Sequence, residues 1–163
     1  MEALDLLRGQ AANADDVLGR VFTPVTPEQA TWQLSGSTAN TIALTYLHTY
    51  FTEDEQVQRL LGKPALLETG GWKERFGYDP QGWTLAKAPA TSQLMEYGAA
   101  VTAATRDYLA AATPADVERQ IETRQGLRPL IARLSVYLVN HKFQHTGEIA
   151  ALLGCQGVKG LPF

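Results

Sequence analysis

Apolar residues recur along much of the chain at three- and four-residue steps, the period of helices that bury one face. Leu4, Leu7, Ala11, Ala14 and Leu18 set out a first helix over residues 2–20. Gly19 weakens its end and Pro24 marks the exit. In Thr26-Pro27-Glu28-Gln29, Thr26 can cap, Pro27 suits the first helical position and Gln29 can complete a capping box. The helix it opens is short, because Ser35-Gly36-Ser37 follows. A second long helix is predicted over residues 37–58. Its apolar positions are Ala39, Ile42, Leu44, Leu47 and Phe51, and Glu53, Asp54, Glu55 and Gln56 are polar.

Residues 59–90 carry no clear period. Gly62-Lys63-Pro64, Gly70-Gly71, Asp79-Pro80, Gly82 and Pro89 punctuate them, yet Trp72, Phe76, Tyr78 and Trp83 lie among them. That aromatic content predicts an ordered excursion packed on the body, either as a pocket wall or as a satellite core under a long loop. A third helix is predicted over 92–112, started by Thr91 or Ser92, with the stripe Leu94, Tyr97, Val101, Ala104 and Tyr108. Thr113-Pro114-Ala115-Asp116 repeats the start signal and opens a brief helix or turn. Residues 117–125 are polar and are expected to face solvent. The fourth helix is predicted from Gly126 to Leu153, on the line Leu127, Ile131, Leu134, Leu138, His141, His145, Ile149 and Leu152, with Gly154 as a left-handed stop. No strand-like alternation competes, and no repeat appears. The expected fold is all-α: a four-helix bundle with long connections and short accessory helices, one domain over residues 1–163.

Composition narrows the function classes. A net charge of -3 argues against nucleic acid and against anionic lipid as partners. Cys155 is the only cysteine, which excludes an internal disulfide and fits a reducing compartment. The start MEALDLLRGQ lacks the basic and apolar regions of a secretory signal, and no run reaches the roughly 20 apolar residues of a membrane span. The expected location is cytoplasmic.

The chemistry concentrates in three histidines. His141 and His145, four residues apart, share one helix face. His48 falls in line with Leu44 and Phe51, so all three lie on apolar stripes. Converging imidazoles would suit zinc, nickel or iron, and three of them with an open water position form a catalytic arrangement. The same residues are compatible with separate, hydrogen-bonded helix histidines. Lys142 follows His141, so the zinc-protease pattern H-E-x-x-H and its general base are absent. Glu148 could orient His145 from behind or be a surface carboxylate. Ser35, Ser37 and Cys155 show no activating base. Trp32, Tyr46, Trp72, Trp83 and Tyr97 are candidate pocket-wall residues, each also readable as core, and Asn40 could cap a helix or line the site.

The chain resembles the DinB-like four-helix metal-binding superfamily, which includes damage-inducible DinB proteins, YfiT-type bacillithiol transferases and mycothiol-dependent maleylpyruvate isomerases. The likeness rests on Trp32-Gln33-Leu34-Ser35-Gly36-Ser37-Thr38-Ala39-Asn40-Thr41-Ile42-Ala43, on His48, on His141-x-x-x-His145-Thr-Gly-Glu-Ile-Ala, and on the ending Gly154-x-x-Gly157-x-x-Gly160-Leu-Pro-Phe. It implies that His48, His141 and His145 hold a divalent metal, zinc or nickel, with water completing the site. It also implies homodimers and a small-molecule substrate. In thiol-transferase members the metal activates a low-molecular-weight thiol for attack on an electrophile. A transferase or isomerase of that kind is the expected function, and a non-catalytic metal-binding stress-response protein is the alternative.

Overall fold

The computed structural model describes residues 2–79, 84–85 and 89–161. Helix α1 spans Ala3–Phe22, and a short α2, Pro27–Thr31, opens on the expected Thr26–Gln29 capping box. Helix α3 spans Ile42–Leu60. The turns α4 (Leu66–Thr69) and α5 (Trp72–Phe76) and the antiparallel pair β1 (Tyr78–Asp79) and β2 (Thr84–Leu85) follow. Helix α6 is Thr91–Ala111 and α7 is Pro114–Glu118. A hairpin of β3 (Gln120–Thr123) and β4 (Gly126–Pro129) leads into α8 (Leu130–Ser135), a π-helical turn (Val136–Asn140) and α9 (His141–Cys155). The last three run as one helical rod. Around the bundle, α1 packs on α9, α9 on α3 and α3 on α6, and α6 closes back on α1. No described helix is long and apolar enough to cross a membrane.

Several expected boundaries move. Helix α3 begins at residue 42, not 37, because Gly36 turns the chain at φ 72° and Thr41, rather than Asn40, accepts the Leu44 amide as N-cap. Helix α1 runs through Gly19 to Phe22. The fourth helix begins at Leu130, not Gly126. Residues 126–129 pair as a strand with 120–123, and Leu127, expected on the buried line, is 64% exposed. The expectation of no strands is thus corrected: two short antiparallel strand pairs are present among the described residues, too brief and too polar to alternate visibly. Within the polar stretch 117–125, Val117 is buried. The left-handed stop is Gly157, not Gly154. Its φ is 75°, and the bonds Val158 N–H to Leu153 O and Gly157 N–H to Gly154 O make a Schellman motif.

The start of the irregular region, at residues 66–67, is anchored by Asp54, a residue expected on a polar face and found 1% exposed. Its two carboxylate oxygens accept the Leu66 and Leu67 amides at 2.9 Å each, capping α4, and Oδ2 also accepts the Tyr97 hydroxyl at 2.9 Å. Burial still holds its carboxyl above the usual range, despite those three donors. Leu67, Phe76 and Tyr78 then join the main core.

Helices α3 and α6 approach closely at Gly98. A Cβ there would stand 2.7 Å from the Tyr46 hydroxyl and 2.9 Å from the Tyr50 ring. Both tyrosines are 4% exposed. Gly98→Ala is therefore expected to destabilise the fold by about 1–3 kcal/mol through overpacking. Denaturant unfolding would read it, and an unchanged midpoint would show that the two helices separate freely.

The core divides into two apolar clusters at opposite ends of the bundle. One includes Leu18, Phe22, Tyr46, Tyr50, Val101 and Ile149, and the other Leu7, Ala11, Val57, Leu109, Leu134 and Leu138. A polar layer lies between them at Asp15, Glu53, Thr105 and Lys142.

Candidate metal centre

His48 comes from the middle of α3, and His141 and His145 from the first turns of α9. A four-residue step on an ideal α-helix drifts by about 40°. The wider π turn takes up that drift, so Leu130, Leu134, Leu138, Lys142 and Thr146 all stay on the deeply buried line. The histidines were expected on that line. They sit one residue before Lys142 and Thr146, on the flank, and are half-buried. This lets imidazoles on the α3–α9 seam reach one another without sealing them from solvent.

His141 Nε2 lies 3.3 Å from His48 Nε2 and 3.1 Å from His145 Nε2. One ligand nitrogen from each ring falls within 4.8 Å of those of the other two. Nitrogens bound at about 2.0–2.1 Å to one zinc stand roughly 2.9–3.4 Å apart, so the observed separations fit a shared ion. His145 Nδ1 is 2.8 Å from Glu148 Oε2, which assigns its proton to Nδ1 and turns the Nε2 lone pair toward the other two rings. Thr52 Oγ1 is 3.5 Å from His48 Nε2. His141 Nδ1 is buried with no hydrogen-bond partner among the described residues. Burial, then the neighbouring imidazoles, push His48 down to about 4. Burial, then His145 and Lys142, push His141 down to about 4. Both rings are neutral near pH 7, the state that donates to a metal.

Directly beneath this cluster lies the polar layer. Lys142 Nζ is 2.5 Å from Asp15 Oδ1 and 2.5 Å from Glu53 Oε2, and its side chain is 1% exposed. Thr105 donates to Glu53 Oε1 at 2.6 Å, and Thr102 to Asp15 Oδ1 at 3.2 Å. The ammonium also lies 5.1 Å from the Tyr50 ring centre. Burial works to lower the Lys142 pKa, but Glu53 and Asp15 more than offset it and the pKa is raised. Burial raises that of Glu53 against the pull of Lys142. One network thus ties α1, α3, α6 and α9 together at the level of the histidines. Sequence reading passed over it. A signal was available: Glu53 is in phase with Tyr46, Thr49 and Val57, and Lys142 with Leu134 and Leu138, so opposite charges sit on two buried stripes.

Four of the five aromatic candidates lie among the described residues. Tyr46 is buried with its ring stacked 3.7 Å from that of Phe22. Tyr97 is fully buried beside Phe76 and Trp72. Trp72 is half-buried under the Arg75 guanidinium, and Trp32 packs at the core edge. Trp83 lies outside the described residues. Among the described residues, Tyr137 brings an aromatic ring to 6.4 Å from that of His141, and it was not singled out from sequence.

Comparison with known proteins supplies the lineage. A solved structure, a conserved protein from Enterococcus faecalis, superposes with a TM-score of 0.76 at 16% identity, over 94% of this chain and 99% of that one. At that identity the likeness speaks for the fold alone. No curated protein matches the chain significantly. The family model of the DinB superfamily matches residues 10–149, which take in all three histidines, the buried ion network and the π turn. The chain belongs to the DinB superfamily.

Proposed function

We propose that His48, His141 and His145 bind one divalent metal ion, zinc or nickel, and that the protein is a metal-dependent enzyme acting on an electrophilic small molecule. The observation that carries this reading is the convergence of the three histidine rings, with Nε2 separations of 3.1 and 3.3 Å, on a half-buried seam. A divalent ion there would supply Lewis-acid chemistry, lowering the pKa of a thiol or of water so that a nucleophile exists near neutral pH.

The chain's own residues have distinct parts. Glu148 orients His145 and holds its tautomer. The Lys142–Glu53–Asp15 layer fixes the rotation of α9 against α3, so that imidazoles from two helices meet. Thr52 offers a hydroxyl beside His48 as a donor to a reacting group. A low-molecular-weight thiol as co-substrate, with transfer or isomerisation as the outcome, is the finer form of the reading. We further infer one DinB-like domain over residues 1–163 and a homodimeric assembly.

Metal analysis of untagged protein tests the ligand set. About one divalent ion per chain is expected in the wild type, and close to none in His145→Ala. Equal metal content in the two would overturn the assignment.

A further inference from the structure

A cavity lies between the β3–β4 hairpin, α8 and the start of the π turn, with Tyr137 on its wall. It is open to solvent and offers about 570 Å³, within the roughly 300–1,000 Å³ of small-molecule sites. Three arginines from three elements line it: Arg124 in the two-residue turn, Arg128 on β4 and Arg133 on α8. No carboxylate lines it. Among the described residues, none of these guanidiniums has an ion-pair partner, whereas Arg8, Arg20, Arg59 and Arg75 each do. The chain carries 17 acidic against 14 basic residues, so a gathering of cations without anions is out of keeping with its composition. A cleft lined by one sign of charge concentrates ions of the other.

The parts are held in place. Thr123 Oγ1 donates to Gly126 O at 2.7 Å and accepts the Gln125 amide at 3.1 Å, which fixes the turn bearing Arg124. Arg133 donates through Nε and Nη2 to Gln56 Oε1 at 3.2 and 2.9 Å, leaving Nη1 outside those bonds. Its guanidinium carbon lies 5.1 Å from the centre of the Tyr137 ring. Tyr137 lines the cavity, and its ring centre is 6.4 Å from that of His141. One aromatic ring therefore stands between the arginines and the candidate metal centre.

We propose that this cavity binds the oxyanionic group, carboxylate or phosphate, of a small molecule whose reactive end reaches the histidine centre. Guanidinium forks match both oxyanions, and three of them from a braced hairpin and helix favour a compact, multiply charged head. The proposal rests on the metal-enzyme reading above for the fate of the reactive end, but not for binding of the anion.

The test is calorimetric titration of the untagged full chain with inorganic phosphate and, separately, with succinate, in physiological salt. One saturable site per chain is expected for at least one probe, and the stronger of the two names the oxyanion. Arg124→Gln/Arg128→Gln, at two exposed positions, is expected to weaken it by about tenfold or more, with metal content unchanged. With cobalt(II) loaded, the bound probe's phosphorus or carbon signal is expected to broaden. No saturable binding of either probe, equal binding by the variant, or binding without broadening in cobalt-loaded protein would each overturn the proposal. Probe binding through the arginines by a chain that takes up no metal would overturn the metal reading alone. Metal loading with no probe binding would overturn the anion site alone.

Discussion

Lys142→Met is expected to remove about 3–5 kcal/mol of stability, a large share of the 5–15 kcal/mol typical of a folded domain. The substitution keeps the length of the stem but strips the cation from Glu53, which is 0% exposed, and from Asp15. Glu53 would then keep one polar partner, the Thr105 hydroxyl, for a carboxylate closed off from water. The loss reflects the isolated carboxylate more than any net worth of the ion pair, since taking both charges out of water is itself costly. The double variant Lys142→Met/Glu53→Gln should therefore be more stable than Lys142→Met alone, by about 1–3 kcal/mol, because it removes the orphaned charge. Urea unfolding of the metal-free proteins reads both numbers. A double variant no more stable than the single would mean that Glu53 takes up a proton once Lys142 is gone and leaves no orphaned charge. A single variant with the wild-type midpoint would mean that the layer contributes nothing.

Acidification from pH 6.5 to about 4.5 is expected to cost the metal-free protein roughly 2–4 kcal/mol. His48 and His141 titrate near 4 in the folded chain, against about 6.5 when unfolded. Folding thus depresses both values, and the unfolded chain binds more protons throughout this window, so stability falls as the pH falls. Full conversion of each shift would give about 3 kcal/mol, but the rings are only half-buried and solvent screens them, which leaves roughly 1–2 kcal/mol apiece. The groups facing them act in known directions. Lys142 and the neighbouring imidazoles oppose protonation of His141. Glu53 and Asp54 have raised values, which favour the folded chain as they protonate and flatten the curve at the acid end. Bound metal should steepen the loss, because protons and metal compete for the same nitrogens. Unfolding midpoints at pH 7 and 4.5, with and without metal, would show it. His48→Gln/His141→Gln should lose most of the slope in the metal-free form, and an equal slope in that variant would place the pH sensitivity elsewhere.

The helical architecture and the histidine set were legible because both are properties of short-range pattern. Leu4, Leu7, Ala11 and Ala14 announce one face of α1 whatever packs against it, and His141 and His145 share a face by spacing alone. Boundaries were less legible where a local signal competed with a longer one. Leu127 fits the helical line of α8 as well as Leu130 does, yet strand pairing across Arg124-Gln125 captures it. No window of sequence weighs that pairing against one more helical turn. The π turn was hidden for a similar reason. Val136, Tyr137, Val139 and Asn140 are weak helix formers but none breaks a helix, and only the fit of the whole rod against the core favours the wider turn.

The sequence by itself determined that the chain would be helical, that its long helices would be amphipathic and that imidazoles would lie near their inner faces. Side-chain period is set by backbone geometry, which neighbouring residues dictate. Only the tertiary structure decided that His48 meets the His141–His145 pair, that Lys142, Glu53 and Asp15 form one layer beneath them, and that three arginines gather beside Tyr137. The first two of those meetings join residues 38 to 127 positions apart in the chain. They depend on the rotation and height of one helix against another, which is settled by packing over the whole core rather than by any stretch of it.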